Sequence, residues 1–340
     1  MRTGALLLRA DAGPSIGVGH VSRCLALAEE ATGRGWRVAL SGVLDSAGWF
    51  DTALTGLGVR LLPATTGPDS LADRAREHGA DVVLVDHYGL RGELRAAVGS
   101  AGGVLVSVED GVFGRRAADV VVDSGLASAS RPRDGSPIVL CGPAYAPLRA
   151  AVRAARRRRA RHRRGNGERA AGPLRVIVLM GGGAAAGAVQ AALRALRDTR
   201  EPMQVCAISA QPARPPAAMA GQRFVIGPPR AELPSLLAEA DLVVSAAGVT
   251  MLELCCIGVP MALVELAPNQ AEGYRAALRD GLATGLGCAA ELIAGSGRPT
   301  EVLGGLLADA QLRARISARA AVTVDGWGAA RILDCVTTVL

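Results

Sequence analysis

The strongest constraint on this chain is a repeated alternation of two sequence textures. Short runs of Val, Leu and Ile, apolar at nearly every position, give way to longer Ala-, Leu- and Arg-rich stretches at helical spacing. Ala5–Arg9, Arg37–Ser41, Val82–Val85, Val104–Val106 and Val120–Val122 read as strands, with helices over Gly19–Thr32 and Ser70–Gly79. After an Arg-rich interruption the pattern restarts, with strands at Leu174–Met180, Met203–Ile208, Arg223–Ile226, Leu242–Ser245 and Met261–Glu265. Helices are expected between them at Gly187–Arg197, Ala231–Ala238, Thr250–Ile257 and Gln270–Asp280. A strand that is apolar throughout is buried on both faces, as in a parallel sheet covered by helices on each side. The expected class is therefore α/β, as two doubly wound parallel-sheet (Rossmann-like) domains facing across a cleft. A length of 340 residues, beyond what one core usually serves, agrees with two domains. The expected division is an N-terminal domain over 1–150, an Arg-rich linker over 151–172 and a C-terminal domain over 173–340, whose last helix packs back on the first domain. Ligands of such sheets collect beyond the carboxyl ends of the strands.

Composition removes several chemistries. All 38 basic residues are Arg, so neither a Schiff-base lysine nor a P-loop lysine exists. The seven Cys form no Cys-x-x-Cys and no Cys/His cluster, and read as small hydrophobes rather than metal ligands. The formal charge of +7 is concentrated in residues 153–169, which hold nine Arg and one Glu. Such a run reads as a solvated helix tail and linker, and no aromatic residue is interleaved for base stacking, so no nucleic-acid partner is expected. No apolar run approaches the roughly 20 residues that cross a bilayer. Met1–Arg9 is too short and too polar for a signal peptide, so the chain reads as soluble and cytoplasmic, without integral membrane association.

Four junctions between strand and helix carry candidate chemistry. The first, residues 9–23, places Gly17 and Gly19 in a turn where a substrate can approach the backbone, followed by His20. A dinucleotide fingerprint is not met, because Ser22 stands where a third glycine belongs and no acidic residue ends the second strand; no cofactor is expected. Position alone leaves a catalytic and a structural reading of His20 equally open. The second junction, Val85-Asp86-His87-Tyr88-Gly89-Leu90, ends a buried strand, so its polar residues project toward the ligand side. Asp86 reads as a cap, and His87 and Tyr88 as candidate contacts. The third, Met180-Gly181-Gly182-Gly183, suits close approach of phosphate oxygens to main-chain N–H groups. The fourth runs from Ser245 through Gly248, Val249 and Thr250 to Glu253, a strand end feeding a helix whose free amides favour a diphosphate. Glu253 reads as a first-turn residue, either a cap or an acceptor for a diol. Asn269 and Gln270 follow the next strand.

In combination these motifs resemble the UDP-sugar hydrolase family of pseudaminic acid biosynthesis and the related spore-coat polysaccharide proteins. The resemblance rests on Arg-x-Asp…Gly-x-Gly-His-x-x-Arg-Cys at 9–24, Val-Asp-His-Tyr-Gly at 85–89 and Val-Leu-Cys-Gly-Pro-x-Tyr-x-x-Leu-Arg at 139–149. It continues with Met-Gly-Gly at 180–182, Ser-Ala-x-Gly…Glu at 245–253 and Asn-Gln at 269–270, and so covers roughly residues 5–285. It implies the glycosyltransferase-B fold, with a second half similar to the lipid II glycosyltransferase. It also implies His20 as the residue acting on the attacking water, with Asp11 and Tyr88 on the sugar side. Gly181, Gly182, Ser245, Gly248, Val249 and Thr250 would hold a nucleoside diphosphate, Glu253 the ribose, and the backbone near Ile226 the base. No metal is implied, since amides alone can receive the leaving charge. The chain departs from the family pattern at Ala12, at Asp123-Ser124-Gly125 and at Gly183-Ala184. The expected activity is hydrolysis of a nucleotide-activated amino- or deoxysugar, with transfer to an acceptor hydroxyl or amine as the alternative.

Overall fold

A computed structural model describes residues 3–14, 16–45, 48–127, 131–165, 172–181, 186–210 and 212–340. They divide into two compact units, 1–150 with 326–340, and 151–325.

In the first unit, β1 (Ala5–Arg9), α1 (Gly19–Gly33), β2 (Arg37–Ser41), α2 (Trp49–Gly56), β3 (Arg60–Leu62) and α3 (Pro68–His78) come first. They are followed by β4 (Val82–Val85), α4 (Leu94–Ser100), β5 (Val104–Glu109), β6 (Val120–Asp123) and β7 (Ile138–Cys141). The sheet runs β3-β2-β1-β4-β5-β6-β7 with every pairing parallel. The two-residue period of a strand sends Leu6 and Leu8 of β1 to one core, with Leu25, Leu84 and Val106, and Leu7 to the other, with Val83, Leu94 and Leu105. Local signals place the helices: α3 opens on Pro68 at its first position and stops at Gly79, whose φ of 62° a residue with a side chain adopts only at a cost.

The second unit holds α5 (Ala150–Gly165), β8 (Leu174–Leu179), α6 (Ala186–Asp198), β9 (Met203–Ile208), β10 (Gln222–Gly227) and α7 (Leu233–Glu239). Then come β11 (Leu242–Ala246), α8 (Val249–Ile257), β12 (Met261–Glu265), α9 (Ala271–Arg279) and β13 (Thr284–Cys288). Helices α10 (Ala289–Ala294), α11 (Gly297–Ala308) and α12 (Ala310–Thr323) close it, and α13 (Gly328–Val339) packs on α1 in the first unit. Its sheet is again all parallel, in the order β10-β9-β8-β11-β12-β13.

One stretch departs from expectation in its burial. The Arg-rich run, read as a solvated helix tail and linker, is helical over α5 (Ala150–Gly165), but that helix is not solvated throughout. Arg159 is buried and donates to the carbonyls of Ala238, Ala240 and Gly258 at 2.8–3.0 Å, while Arg156 donates to those of Cys256 and Val324. These carbonyls lie at the C-terminal ends of α7 and α8 and just beyond α12, where unpaired acceptors and the negative end of the dipole attract a cation. Charge density alone misreads such a helix, because two of its arginines cap other helices. Cys24, Cys255 and Cys256 are buried and Cys141 is exposed.

Candidate active site

In each sheet the strand order reverses direction once, between β1 and β4 and between β8 and β11. At such a switch point the flanking loops part and leave a crevice at the carboxyl edge. Asp11, Gly17, Gly19 and His20 follow β1, while Asp86, His87 and Tyr88 follow β4. Gly181 follows β8, and Ser245, Gly248, Val249 and Thr250 end or follow β11. Motifs separated by more than 60 residues in the chain thus come to the same edge.

At the first switch point the side chains form one connected network, buried at its centre. His20 is 5% exposed, and its ring meets Asp86 and Tyr88. Its Nδ1 lies 2.6 Å from Asp86 Oδ1, and the ring stands edge-on to Tyr88 with centroids 4.5 Å apart. Arg23, one helical turn beyond His20 on α1, clamps two carboxylates. It donates to both oxygens of Asp86 at 2.7 Å and to both oxygens of Asp110 at 2.6 and 3.1 Å. The Tyr88 hydroxyl donates to Asp110. Burial alone would push the Asp86 carboxyl up, but Arg23 and His20 outweigh it and hold it well below the ordinary carboxylate range. Burial likewise works against the Arg23 charge, yet Asp110 and Asp86 keep the guanidinium well above its ordinary value.

That ionisation fixes the imidazole tautomer. Two lone pairs do not approach to 2.6 Å, so a proton stands between Nδ1 and the Asp86 carboxylate. The 3.0 Å approach of Arg23 Nη2 to Nδ1 is then proximity between two donors sharing Asp86 Oδ1. His20 Nε2 is left with its lone pair, as a base oriented by a carboxylate.

Asp11 and His87 form a second cluster beside the first. Asp11 takes two bonds from Arg9 at 2.6 and 3.0 Å, one from the Val43 N–H at 2.8 Å, and faces His87 Nε2 at 3.0 Å. Burial favours its neutral form, but Arg9 and Val43 prevail and lower its pKa. A carboxylate bonded this fully braces the loops after β1 and β2. Gly42 belongs to the same crossing, since a Cβ there would fall 1.8 Å from the Ala10 carbonyl oxygen. His87 Nδ1 accepts the N–H groups of Gly89 and Leu90, which leaves the ring proton on Nε2, facing Asp11. Burial, with Arg9 adding, lowers its pKa and keeps the ring neutral. Gly17 closes the β1–α1 turn by exchanging main-chain bonds with Gly13 at 2.7 and 3.2 Å.

The second switch point is built from backbone and small residues. Helix α8 opens at Gly248, with extended geometry, no side-chain cap and no acidic residue in its first turn. The N–H groups of Val249 and Thr250 therefore begin a helix whose dipole favours an anion. Ser245 is buried and its hydroxyl donates to the Ala246 carbonyl at 3.2 Å. Gln270 accepts from the Leu266 N–H at 3.0 Å, and a Cβ on Gly248 would stand 3.5 Å from Gln270 Nε2, so the loops after β11 and β12 meet through this side chain. Asn269 lies in the short 3₁₀ turn before α9 rather than capping that helix. Gly181 adopts a φ of 78° and is exposed; Gly182 lies outside the described residues. Glu253 does not lie on the first turn: α8 starts at Val249, so Glu253 sits a turn deeper and is buried. Ile226 lies on the edge strand β10, two strands from β8 and away from the switch point. Among the described residues no group of three or more His, Cys, Asp and Glu side chains could hold a metal ion, and no helix is long and apolar enough to cross a membrane.

Sequence reading passed over three members of this site. Asp86 reads as a cap, Arg23 only as part of a motif, and Asp110 is missed. The available signals were the three-residue spacing of His20 and Arg23 and an acid ending an all-apolar strand, which must be paired if buried.

No family model matches the chain, and no curated protein sequence does. Solved structures do match over nearly the whole length. MurG of Acinetobacter baumannii is 16% identical with a TM-score of 0.69, covering 98% of this chain and 99% of that one. The glycosyltransferase of kitacinnamycin is 17% identical with a TM-score of 0.63, covering 98% and 99%. A chain described as a UDP-N-acetylglucosamine 2-epimerase from Listeria monocytogenes is 14% identical with a TM-score of 0.57, covering 98% and 95%. At such identities the likeness establishes architecture: this chain has the glycosyltransferase-B fold, two Rossmann-like units each built on a parallel sheet.

Proposed function

We propose that this chain transfers a sugar from a nucleotide sugar to an acceptor hydroxyl or amine. The observation that carries the reading is the buried His20–Asp86 pair at the first switch point, with Nδ1 committed to Asp86 and Nε2 left as the base. In this reaction the acceptor heteroatom forms a bond to the anomeric carbon as the bond from that carbon to the phosphate oxygen breaks. The acceptor proton passes to His20 Nε2, and the electron pair leaves with the nucleoside diphosphate. Helix α8 opens with main-chain amides and no side-chain cap, which suits a nucleoside diphosphate. Support also comes from the fold, which structures described as glycosyltransferases share end to end. The epimerase of the same fold is a reminder that fold alone does not choose the reaction.

A second reading keeps the same base and donor and replaces the acceptor with water. The motif resemblance to UDP-sugar hydrolases favours it, and with it UDP as the nucleotide. One assay separates the two. Purified protein is incubated with a panel of UDP-, TDP-, GDP- and CMP-sugars, with and without pooled hydroxyl and amine acceptors, and nucleotide release is followed. Release that needs an acceptor supports transfer; equal release of free sugar without one replaces it with hydrolysis. If no nucleotide sugar is consumed and none raises the melting temperature, both readings fail. His20→Gln is expected to slow turnover by about 10²- to 10⁴-fold, the usual worth of a general base.

A further inference from the structure

We propose that Arg23 is a positioning residue that sets the hydrogen-bond polarity of the whole first cluster, so that its side chains accept from a ligand and do not donate to it. This rests on the reading of His20 as the base only for its catalytic meaning.

Polarity propagates from Arg23 because a guanidinium has donors and no acceptor, and cannot be deprotonated in a protein. Its N–H groups fill both oxygens of Asp86 and both of Asp110. Asp86 then accepts from His20 Nδ1, which turns Nε2 into an acceptor. Asp110 accepts from the Tyr88 hydroxyl, so any further partner of that oxygen must donate to it. The two rings stand edge to face at 4.5 Å, so one ligand group can meet both. Two nearby guanidiniums are committed to the protein itself. Arg9 is committed to Asp11 and the Thr65 carbonyl, and Arg116 to the carbonyls of Val85 and His87 and to Ser107 Oγ. A ligand group set against His20 and Tyr88 must therefore carry protons: a hydroxyl, an amine or water. An ionised phosphate or carboxylate would face two lone pairs backed by carboxylates. Donors at this end come from the main chain, since α1 begins at Gly19 without a side-chain cap.

The test reads the tautomer directly and needs no substrate, so its failure is separable from failure of the enzymatic reading. Isotope-labelled histidine NMR of the full chain, with His20→Gln assigning the signal, should find neutral His20 protonated on Nδ1. In Arg23→Gln the cation that keeps Asp86 ionised is gone, and the preference for Nδ1 is lost. A proton on Nε2 in the parent protein, or an unchanged tautomer in Arg23→Gln, overturns the proposal. If Arg23→Gln does not fold, Asp110→Asn tests the other arm at a partly exposed site. Freed of its carboxylate neighbour, the Tyr88 phenol should ionise at lower pH, with Tyr88→Phe identifying its absorbance; an unchanged phenol overturns the proposal. Where turnover is measured, Arg23→Gln should lower kcat by about 10²-fold or more with little change in KM. A raised KM at unchanged kcat would count against it.

Discussion

The two switch points solve different problems with different materials. At the first, side chains do the joining: His20, Asp86, Arg23, Asp110 and Tyr88 hold one another in buried and part-buried hydrogen bonds. At the second, Gly248 opens α8 without a side-chain cap, and the buried hydroxyl of Ser245 is turned to its own backbone. A base needs a fixed tautomer, which the Asp86 carboxylate supplies to His20. An anion needs convergent N–H groups and room, which small residues supply by not filling it. The difference teaches where each unit is fragile: the first in its charges, the second in its volumes.

The largest expected effect breaks the first network. Arg23→Met leaves Asp86 and Asp110 facing each other without a cation. Removing one partner of a buried ion pair costs about 3–5 kcal/mol, because the other charge stays behind. Thr250→Val at the second switch point should change stability by no more than about 0.5 kcal/mol. Denaturant unfolding, with hydrogen exchange assigning protection to each unit, measures both. Similar losses from the two substitutions would show that the contrast between the sites is false.

Legibility in the sequence follows the same divide. The interior strands β1, β4, β8 and β11 are apolar on both faces and can be read directly, so the switch points and the residues beside them follow. The edge strands β3 and β7 alternate or are exposed, and β13 carries two glycines, so they give no such run. Helix α8, with Gly248 before it and Gly258 after it, is legible; α5 is not, because its apolar face is partly arginine. Tyr88 stands out as a polar residue after a strand end and His20 as one after a glycine-rich turn, while Asp11 enters through the family resemblance. Their partnerships do not stand out, because the bonds of Arg23 to Asp86 and Asp110 span 63 and 87 residues. Periodicity carries information about faces, and long-range pairing of charges lies beyond it.

The second unit does use a buried guanidinium, that of Arg159 on α5. Arg159 caps the C-terminal end of α8, while Arg23 works in the first turns of α1. The partners differ accordingly, carbonyls for one and carboxylates for the other. Arg159→Met should cost about 1–3 kcal/mol, the penalty for leaving buried acceptors unpaired, and less than Arg23→Met. The same unfolding measurement checks the order, and a larger loss at Arg159 would reverse the contrast. Protection in α5, α7 and α8 should fall together, because the three bonds of Arg159 tie these helices.

Acid should separate the two units more gently. His78, buried on the last turn of α3, has its pKa lowered by burial and by Arg37 and Arg60, and its Nε2 has no hydrogen-bond partner. His87 is lowered as well, and both belong to the first unit. Each takes up its proton in the unfolded chain before the folded one. As pH falls from 7 through the ordinary histidine value of 6.5, the unfolded state therefore binds more protons and stability drops. The slope is at most about 1.4 kcal/mol per pH unit for each ring. Asp11 and Asp86, lowered in the folded state, add to the loss only below their ordinary value of 3.8. Asp123, whose carboxyl burial holds up, binds its proton in the folded state first and offsets part of the loss. Hydrogen exchange at pH 7 and pH 5 should thus show the first unit opening more readily in acid. His78→Asn should flatten its response, because the amide replaces one ring nitrogen and nothing is left to titrate. Equal acid sensitivity of the parent and His78→Asn would leave the buried histidine without a part in it.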